Sequence, residues 1–221
     1  MLANIERLLV KYGMNFVNGL GTTLLLALVS VAVGCLIGAL VAIMRLSKSK
    51  VLGGIATVYT EIIRDTPLLL QLYFFYFLLR DLLPALRLSK FTCIAIALIF
   101  NSGAYMSEIF RSGIQSIDRG QTEAARSLGL SASQTMLRIV LPQAFKNVLP
   151  AMCNEFVAIT KETSLASTFY VGDLMTQYQT ISGKTYLVLE PLIIIGVIYF
   201  VVTFTMSKFV ALLEKKLKEG D

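Results

Sequence analysis

The feature that most constrains this chain is an uninterrupted apolar run near its beginning. The run from Leu24 to Met44 contains 21 residues and no formal charge. A helix crosses the hydrocarbon layer of a bilayer with roughly 20 apolar residues, so this run predicts a transmembrane helix. It is too long for the apolar core of a cleavable signal peptide, and no small-residue cleavage site follows it. We therefore expect an integral membrane protein.

The composition agrees with a bilayer as the solvent. The chain is 56% hydrophobic and 15% charged, whereas soluble domains carry about 25% charged residues. Histidine is absent, which excludes Ser-His-Asp catalysis, His-ligated zinc and His-ligated haem. Cys35, Cys93 and Cys153 lie far apart in apolar runs. They fit buried structural thiols, and their spacing predicts no metal site.

Four further segments complete a pattern of five spans. The second span is broken, because Ile55 to Ile63 and Leu68 to Leu79 flank an Arg-Asp-Thr-Pro sequence that ends at Pro67. The third runs from Phe91 to about Ile109, and the fourth begins near Val148 but carries three charged residues. The fifth runs from Pro191 to about Leu213.

The segment that precedes the first span has a different pattern. In residues 1–19, apolar side chains recur at helical spacing among charged ones, which predicts an N-terminal amphipathic helix at the membrane interface. The predicted fold class is therefore all-α: a polytopic membrane protein of about five transmembrane helices, with residues 1–221 forming a single transmembrane domain.

Loop charge predicts the orientation. The segments 45–54, 111–147 and 207–221 share one side and hold twelve Lys and Arg residues, whereas the loops on the opposite side hold six. The positive-inside rule then places the N-terminus outside and the C-terminus in the cytoplasm.

The loop 111–147 on the cytoplasmic side has helix signals of its own. Asp118, with a glutamine three residues later, resembles a capping box, and Gly129 is a natural helix stop. Ser131 with Gln134 opens a second helix, which Pro142 is expected to limit. Two short helices joined by a glycine turn predict a compact cytoplasmic knob that serves as a docking element.

The loop also carries a recognisable motif. The sequence EAARSLGLSASQTMLRIVLP, residues 123–142, resembles the cytoplasmic EAA loop of ABC importer permeases, including the full spacing from the first glutamate to the proline. The stretches TEIIRDTPLLLQLYFFYF and NEFVAITKETSLAS resemble the second and fourth spans of the polar-amino-acid uptake family, which carries histidine, glutamate, glutamine or arginine. The chain is most similar to the permeases for arginine and other basic amino acids.

The resemblance implies a type I ABC importer transmembrane domain in the bacterial plasma (inner) membrane. The coupling loop of such a domain inserts into a cleft on a dimer of separate ATP-binding subunits, and the residues that match its motif are Glu123, Ala124, Ala125, Gly129, Leu141 and Pro142. The other implied partners are an extracellular amino-acid-binding protein and a second permease copy, identical or homologous. The chain has no phosphate loop of the Walker type, so ATP and Mg²⁺ are expected on the partner subunit and this chain is a transport subunit rather than an enzyme.

Ionisable residues within the spans predict a substrate site, because such residues are costly in a bilayer. Glu155 and Glu162 are close to two helical turns apart, so both carboxylates face one way, roughly 10 Å apart along the axis. With hydrogen-bonding groups on the second and third spans, the predicted substrate-binding set is Glu155, Glu162, Gln71, Asn101, Ser102 and Tyr105. The set predicts a basic amino acid, arginine or lysine, whose side-chain cation meets one glutamate. A neutral or acidic amino acid, such as glutamine or glutamate, is the alternative.

Other assignments of these residues stay open. Glu155, Glu162 and Lys161 also suit helix packing or a dimer interface. Arg64 and Glu108, with Glu61 and Asp65, are expected near the cytoplasmic ends of spans as ion pairs and helix-break packing. A membrane enzyme with a glutamate acid/base pair and a cation channel are rival functions. Flux in proteoliposomes with and without an ATPase partner separates all three.

Overall fold

The computed structural model describes residues 1–218, and across that range the chain is helical without a strand. Two 3₁₀ turns, Pro84–Leu86 and Thr163–Phe169, and a π-turn, Met136–Val140, connect the α-helices. The predicted cytoplasmic C-terminus, residues 219–221, lies outside the described residues. In chain order the α-helices are α1 (Leu2–Leu46), α2 (Lys50–Arg64), α3 (Leu68–Leu82), α4 (Lys90–Gln115), α5 (Arg119–Ser127), α6 (Ala132–Thr135), α7 (Leu141–Glu162), α8 (Leu174–Thr185) and α9 (Leu189–Lys218).

Helix α1 joins the N-terminal segment and the first span in one helix of 45 residues. At 1.5 Å per residue this helix is about 67 Å long, roughly twice the hydrocarbon thickness of a bilayer. Leu8 and Phe16 of its first half are buried with Leu174 and Ile195, in a cluster formed with α8 and α9. Residues 1–19 are therefore helical as predicted but continuous with the span, because no proline interrupts the backbone hydrogen bonds. Their position at the membrane interface stays a prediction.

The second span is broken, as the sequence predicts. Helices α2 and α3 meet at an angle of 110°. Pro67 precedes α3, and a proline lacks the N–H donor that would continue the helix. The side-chain amide of Gln71 donates to the carbonyls of Ile63 (2.6 Å) and Thr66 (3.1 Å). Gln71 thus satisfies carbonyl groups that the break removes from the helical hydrogen-bond pattern.

The first and third spans, α1 and α4, pack through small residues. Gly34 lies against Ser102, and Gly38 lies against Gly103 and Met106. Two glycines four residues apart let helix backbones approach closely within a membrane. Because the residue numbers rise together along both helices, α1 and α4 run in the same direction, as the five-span topology requires of the first and third spans.

This close packing makes Gly38 sensitive to substitution. A methyl group on Gly38 would lie 2.5 Å from Met106 Cβ and 3.0 Å from the Gly103 carbonyl oxygen. We expect Gly38→Val to lower the free energy of unfolding by about 1–3 kcal/mol, which is the usual cost of overpacking. Gly196→Val on α9 is the matched control, because a methyl group there meets no atom within 4 Å. The stability of both variants is measured as the fraction of protein that stays monodisperse after heating. Equal losses of monodisperse protein in the two variants would contradict the expectation.

The helix that carries the fourth span begins before Val148, where the span itself is predicted to begin. The chain is helical from Ala132 through the π-turn to Glu162, so the prediction that Pro142 limits the loop helix is wrong. The Leu141 amide donates to the carbonyl of Met136, five residues back. The helical hydrogen-bond pattern is thus already widened where Pro142 lacks its donor, and Pro142 falls in the first turn of α7, where a proline is tolerated.

Among the described residues, α1, α4 and α9 are long and apolar enough to cross a membrane, and the bent pair of α2 and α3 makes a fourth span if it is counted as one. The fifth predicted span corresponds to α7, whose charged side chains lower its hydropathy. At one end of the bundle, the Asn147 amide donates to the Ser116 hydroxyl (3.0 Å), and Lys146 and Leu217 line one groove. At the other end, Asn4 donates to Glu190 (3.0 Å).

Candidate functional site

The contact between helices α4 and α7 shows how deep in the bundle the residues of the candidate site lie. The two helices approach so closely at Gly113 that a methyl group there would overlap Val148. Tyr105 lies eight residues before Gly113, and Glu155 lies seven residues after Val148. Because the two helices run in opposite directions from this contact, Tyr105 and Glu155 lie at nearly the same depth in the bundle.

Tyr105 lies within electrostatic range of charged side chains from two other helices. These are Glu155 and Glu162 of α7, with Arg64 and Asp65 at the end of α2. The Arg64 guanidinium carbon lies 5.7 Å from the centre of the Tyr105 ring, within the range of a cation–π contact. Both glutamates are half-buried, and their like charges repel each other. The two acids and the tyrosine of the predicted set therefore lie in the same region of the bundle, and their contact with a substrate stays a prediction.

Glu108, one helical turn beyond Tyr105, binds arginines from three helices. Its carboxylate accepts a hydrogen bond from Arg45 of α1 (2.6 Å) and two from Arg111 of α4. Arg64 of α2 completes the cluster with an ion pair of 3.7 Å to the same carboxylate. The ion pairs that the sequence predicts for Glu108 and Arg64 are present, and they tie α1, α2 and α4 together. This arginine cluster, Arg45, Arg64, Glu108 and Arg111, carries a net charge of +2.

The structure does not bring every residue of the predicted substrate-binding set to the face of α7 that carries Glu155 and Glu162. The donors of Gln71 are used at the α2–α3 break, and Ser102 is fully buried against Gly34. Both residues therefore contribute to helix packing, the Ser102 hydroxyl has no hydrogen-bond partner among the described residues, and the contact of either residue with a substrate stays a prediction. Asn101 donates to Gln71 (2.9 Å), and its buried side-chain oxygen has no partner among the described residues.

The coupling loop contains the short helix α5 and then α6, which begins the helical segment that continues through the π-turn into α7. Asp118 caps α5 by accepting the Gly120 amide (2.7 Å), and Ser131 with Gln134 forms the predicted capping box of α6. Between them Gly129 has a φ of +87°. Its amide donates to Arg126 (3.0 Å), and the next amide donates to the Ala125 carbonyl (3.2 Å). This is the Schellman end of a helix, for which glycine is favoured.

The residues that match the coupling motif differ in exposure. Glu123, Ala124 and Pro142 are exposed, and Leu141 is 37% exposed. Ala125 is buried inside the loop, while Leu128 beside the glycine turn is 85% exposed. A single exposed apolar side chain is common on protein surfaces, so the docking role of this loop depends on its motif rather than on Leu128. The geometry agrees with a docking element, and the contact of these residues with an ATPase stays a prediction.

Sequence reasoning missed one member of the site. Arg64 was expected only in structural ion pairs near a cytoplasmic end, yet its guanidinium extends from Glu108 to the Tyr105 ring. The signal that could have found it is a cation inside an apolar span, which marks a functional residue by default. What the sequence could not provide is the packing that brings the end of α2 against α4.

The comparisons with known proteins agree with one another. The sequence profile of the family described as "Binding-protein-dependent transport system inner membrane component" matches residues 34–219. The chain is 40% identical to the arginine transport system permease protein ArtQ of Bacillus subtilis over 92% of this chain and 93% of that protein. It is 38% identical to the probable glutamine ABC transporter permease protein GlnM of the same organism, over 98% and 99%.

A solved structure gives the same result for the fold. The structure described as an amino acid ABC transporter with histidines superposes with a TM-score of 0.90 at 43% identity, and the match covers 94% of this chain and 96% of that one. A likeness of this extent, at this identity, applies to the arrangement of the spans as well as to the loop motif.

Proposed function

Because the chain belongs to the family of binding-protein-dependent transport system inner membrane components, we propose that it carries a basic amino acid, arginine or lysine, past Glu155 and Glu162. The chain is the permease subunit of an amino acid ABC importer. It works with a binding protein and with an ATP-binding subunit, and ATP hydrolysis belongs to that separate subunit.

The observation that supports a basic substrate is the pair of acids beside Tyr105. Glu155 and Glu162 are half-buried within a span, and the exposed Lys161 offsets part of the charge of Glu162 alone. Two like charges in a poorly solvated site are costly unless a cation neutralises them. The guanidinium of arginine or the ammonium of lysine provides that cation, and a carboxylate binds it with charge-assisted hydrogen bonds.

The relatives leave a neutral substrate as the second candidate. The arginine and glutamine permeases resemble this chain almost equally, at 40% and 38% identity. Overall similarity therefore does not separate the two substrates, and the acidic pair is the feature that favours a cation.

We expect Glu155→Gln and Glu162→Gln to weaken arginine binding, the more strongly for the residue that meets the guanidinium. A hydrogen bond to a charged group contributes about 1.5–3 kcal/mol, which corresponds to roughly a 10- to 150-fold increase in Kd. Titration of arginine and of its neutral isostere citrulline into the purified complex in nanodiscs, without the binding protein, measures the effect. The variant that loses the contact should bind the two ligands with similar affinity.

The control for this experiment is Glu61→Gln, because Glu61 is an exposed carboxylate on α2. It should keep the preference of the unmodified complex for arginine over citrulline. Unchanged arginine affinity in both the Glu155 and the Glu162 variants would overturn the basic substrate and favour a neutral or acidic amino acid.

The assembly follows from the same proposal. Two permease copies, identical or homologous, enclose the path, and the N-terminus lies outside with the C-terminus in the cytoplasm. The ends of the bundle support this orientation, since the loops richer in Lys and Arg share one end. The coupling loops dock on a dimer of ATP-binding subunits, which hold ATP and Mg²⁺.

A further inference from the structure

Three basic side chains meet at a pocket where the beginning of α1 packs against the end of α8. This basic pocket is lined by Arg7, Lys11 and Lys184, with Leu8, Tyr12 and Thr185 between them. Arg7 and Lys11 are four residues apart and project from one face of α1, whereas Lys184 lies in the last turn of α8. The volume of the pocket is about 250 Å³, which is the volume of about eight water molecules. It has room for a phosphate group with part of its hydration shell.

The positive charge of the basic pocket is compensated only in part. None of its three cations forms an ion pair with an acid of residues 1–218. The Lys11 ammonium lies 5.4 Å from the centre of the Tyr12 ring, a contact that attracts the cation but leaves its charge in place. The carbonyl groups at the end of α8 offset about half of the charge of Lys184. An anion in the pocket would therefore be strongly stabilised.

The depth of the pocket relates it to the surface of the bilayer. The Asn4 amide donates to Glu190 (3.0 Å), so the beginning of α1 is level with the beginning of α9. The apolar stretch of α9 starts at Pro191, which marks the edge of the hydrocarbon layer on this side. Arg7 lies about one helical turn beyond Asn4. The basic pocket thus lies near the level of the lipid headgroups, where the phosphates of anionic lipids attract basic residues.

An exposed strip of α1 leads from the pocket into the hydrocarbon layer. The strip continues from Arg7 and Lys11 at alternate spacings of three and four residues, which keeps it on one face of the helix. Its apolar members Met14, Leu25 and Leu28 are 69%, 50% and 57% exposed. From Lys11 to Leu28 the strip is about 25 Å long, and one leaflet with its headgroups is about 20 Å thick. The strip is long enough for the acyl chains of a lipid whose headgroup occupies the pocket.

We propose that the basic pocket binds the phosphate of an anionic phospholipid, and that the acyl chains of this lipid cover the exposed strip of α1. The planar fork of Arg7 suits two phosphate oxygens, and Lys11 and Lys184 add two point charges. A soluble anion would use the pocket alone, whereas a phospholipid matches both the charge and the apolar strip. The bound lipid connects α1 with α8 and stabilises their packing by mass action. This site is independent of which amino acid the permease carries.

The test compares two lipids that differ in the charge of their headgroups. Short-chain phosphatidylglycerol, which is anionic, and phosphatidylcholine, which is zwitterionic, are titrated into the delipidated permease–ATPase complex in a neutral detergent. We expect phosphatidylglycerol to bind at least about tenfold more tightly at low salt, because each basic residue near a lipid phosphate contributes about fivefold. The double variant Arg7→Gln with Lys11→Gln should remove most of this preference and leave the affinity for phosphatidylcholine nearly unchanged.

Two further double variants separate the pocket from net charge and from folding. Lys48→Gln with Lys50→Gln removes the same charge from exposed residues at the opposite end of α1, and it should keep the preference for phosphatidylglycerol. Arg7→Lys with Lys11→Arg retains both charges and should also keep most of it. An unchanged preference in the Arg7→Gln, Lys11→Gln variant overturns the proposal. An equal loss in the Lys48→Gln, Lys50→Gln control overturns it as well.

Two other ligands test whether the occupant is a lipid. Inorganic phosphate should displace phosphatidylglycerol only at a concentration at least about a hundredfold higher, because it lacks the acyl chains. Equal affinity for the two would show a site for free anions and overturn the lipid. The binding protein provides the second comparison. If the Arg7→Gln, Lys11→Gln variant keeps its lipid preference but docks the binding protein more weakly, the pocket belongs to a protein interface and the proposal is wrong.

Discussion

Gly129→Val is expected to abolish most ATP-driven transport while the transmembrane helices stay folded. Gly129 has a φ of +87°, a backbone conformation that is a genuine outlier for a β-branched residue. Holding valine there costs about 1–3 kcal/mol. We expect the turn to change conformation instead, so that α5 loses its orientation relative to α6. Uptake should fall to about a tenth or less, because 1.4 kcal/mol corresponds to a factor of ten in an equilibrium.

Uptake of labelled arginine and glutamine into proteoliposomes that contain the full complex measures this effect. Gly54→Val is the matched control, since Gly54 lies in α2 and a methyl group there meets no atom within 4 Å. Gly129→Asn should restore most of the transport, because asparagine tolerates a positive φ better than other side chains. Full transport by Gly129→Val would show that the turn does not need this conformation for coupling.

Among substitutions that neutralise one charged side chain, we expect Glu108→Gln to destabilise the protein most. It removes one carboxylate and leaves Arg45, Arg64 and Arg111 close together near the ends of their helices. Breaking a fully buried ion pair costs about 3–5 kcal/mol. Because these side chains keep 17–41% of their exposure, we expect a smaller loss, about 2–3 kcal/mol.

The temperature at which half of the purified complex loses its monodisperse state measures this loss. The double variant Arg45→Gln with Glu108→Gln should recover much of it, because it removes a positive charge together with the negative one. Glu61→Gln, at an exposed carboxylate of α2, should leave the temperature unchanged. A Glu108→Gln variant as stable as the unmodified protein would contradict the role of the arginine cluster as a tie between three helices.

Several elements could be predicted from local sequence because local chemistry determines them. Ser131 and Gln134 form the predicted capping box, and Gly129 ends α5 with the positive φ that glycine favours. The break at Pro67 follows from the missing donor of proline. Pro142 is the counter-example. Its effect depends on the π-turn before it, and a widened hydrogen-bond pattern leaves no signal of its own in the sequence.

For the candidate site, too, local sequence predicts some residues correctly but cannot predict the packing of others. Helical periodicity places Glu155 and Glu162 on one face of α7, and the cost of charge in a bilayer marks them as functional. Gln71 and Ser102 are polar residues of the same kind in sequence, yet the structure places one at the helix break and the other against Gly34. A polar side chain in a span either binds a ligand or joins helices, and only the packing of neighbouring helices distinguishes the two.

The sequence by itself determined the membrane fold, the coupling loop and the acidic pair. These follow from hydrophobic length, from turn and capping chemistry, and from 3.6-residue periodicity, which all act within one segment of chain. Only the tertiary structure decided that Arg64 reaches Tyr105 and Glu108. That arrangement needs the packing of α2 against α4 and the close approach of α1 to α4. Both depend on contacts between residues that are distant in sequence.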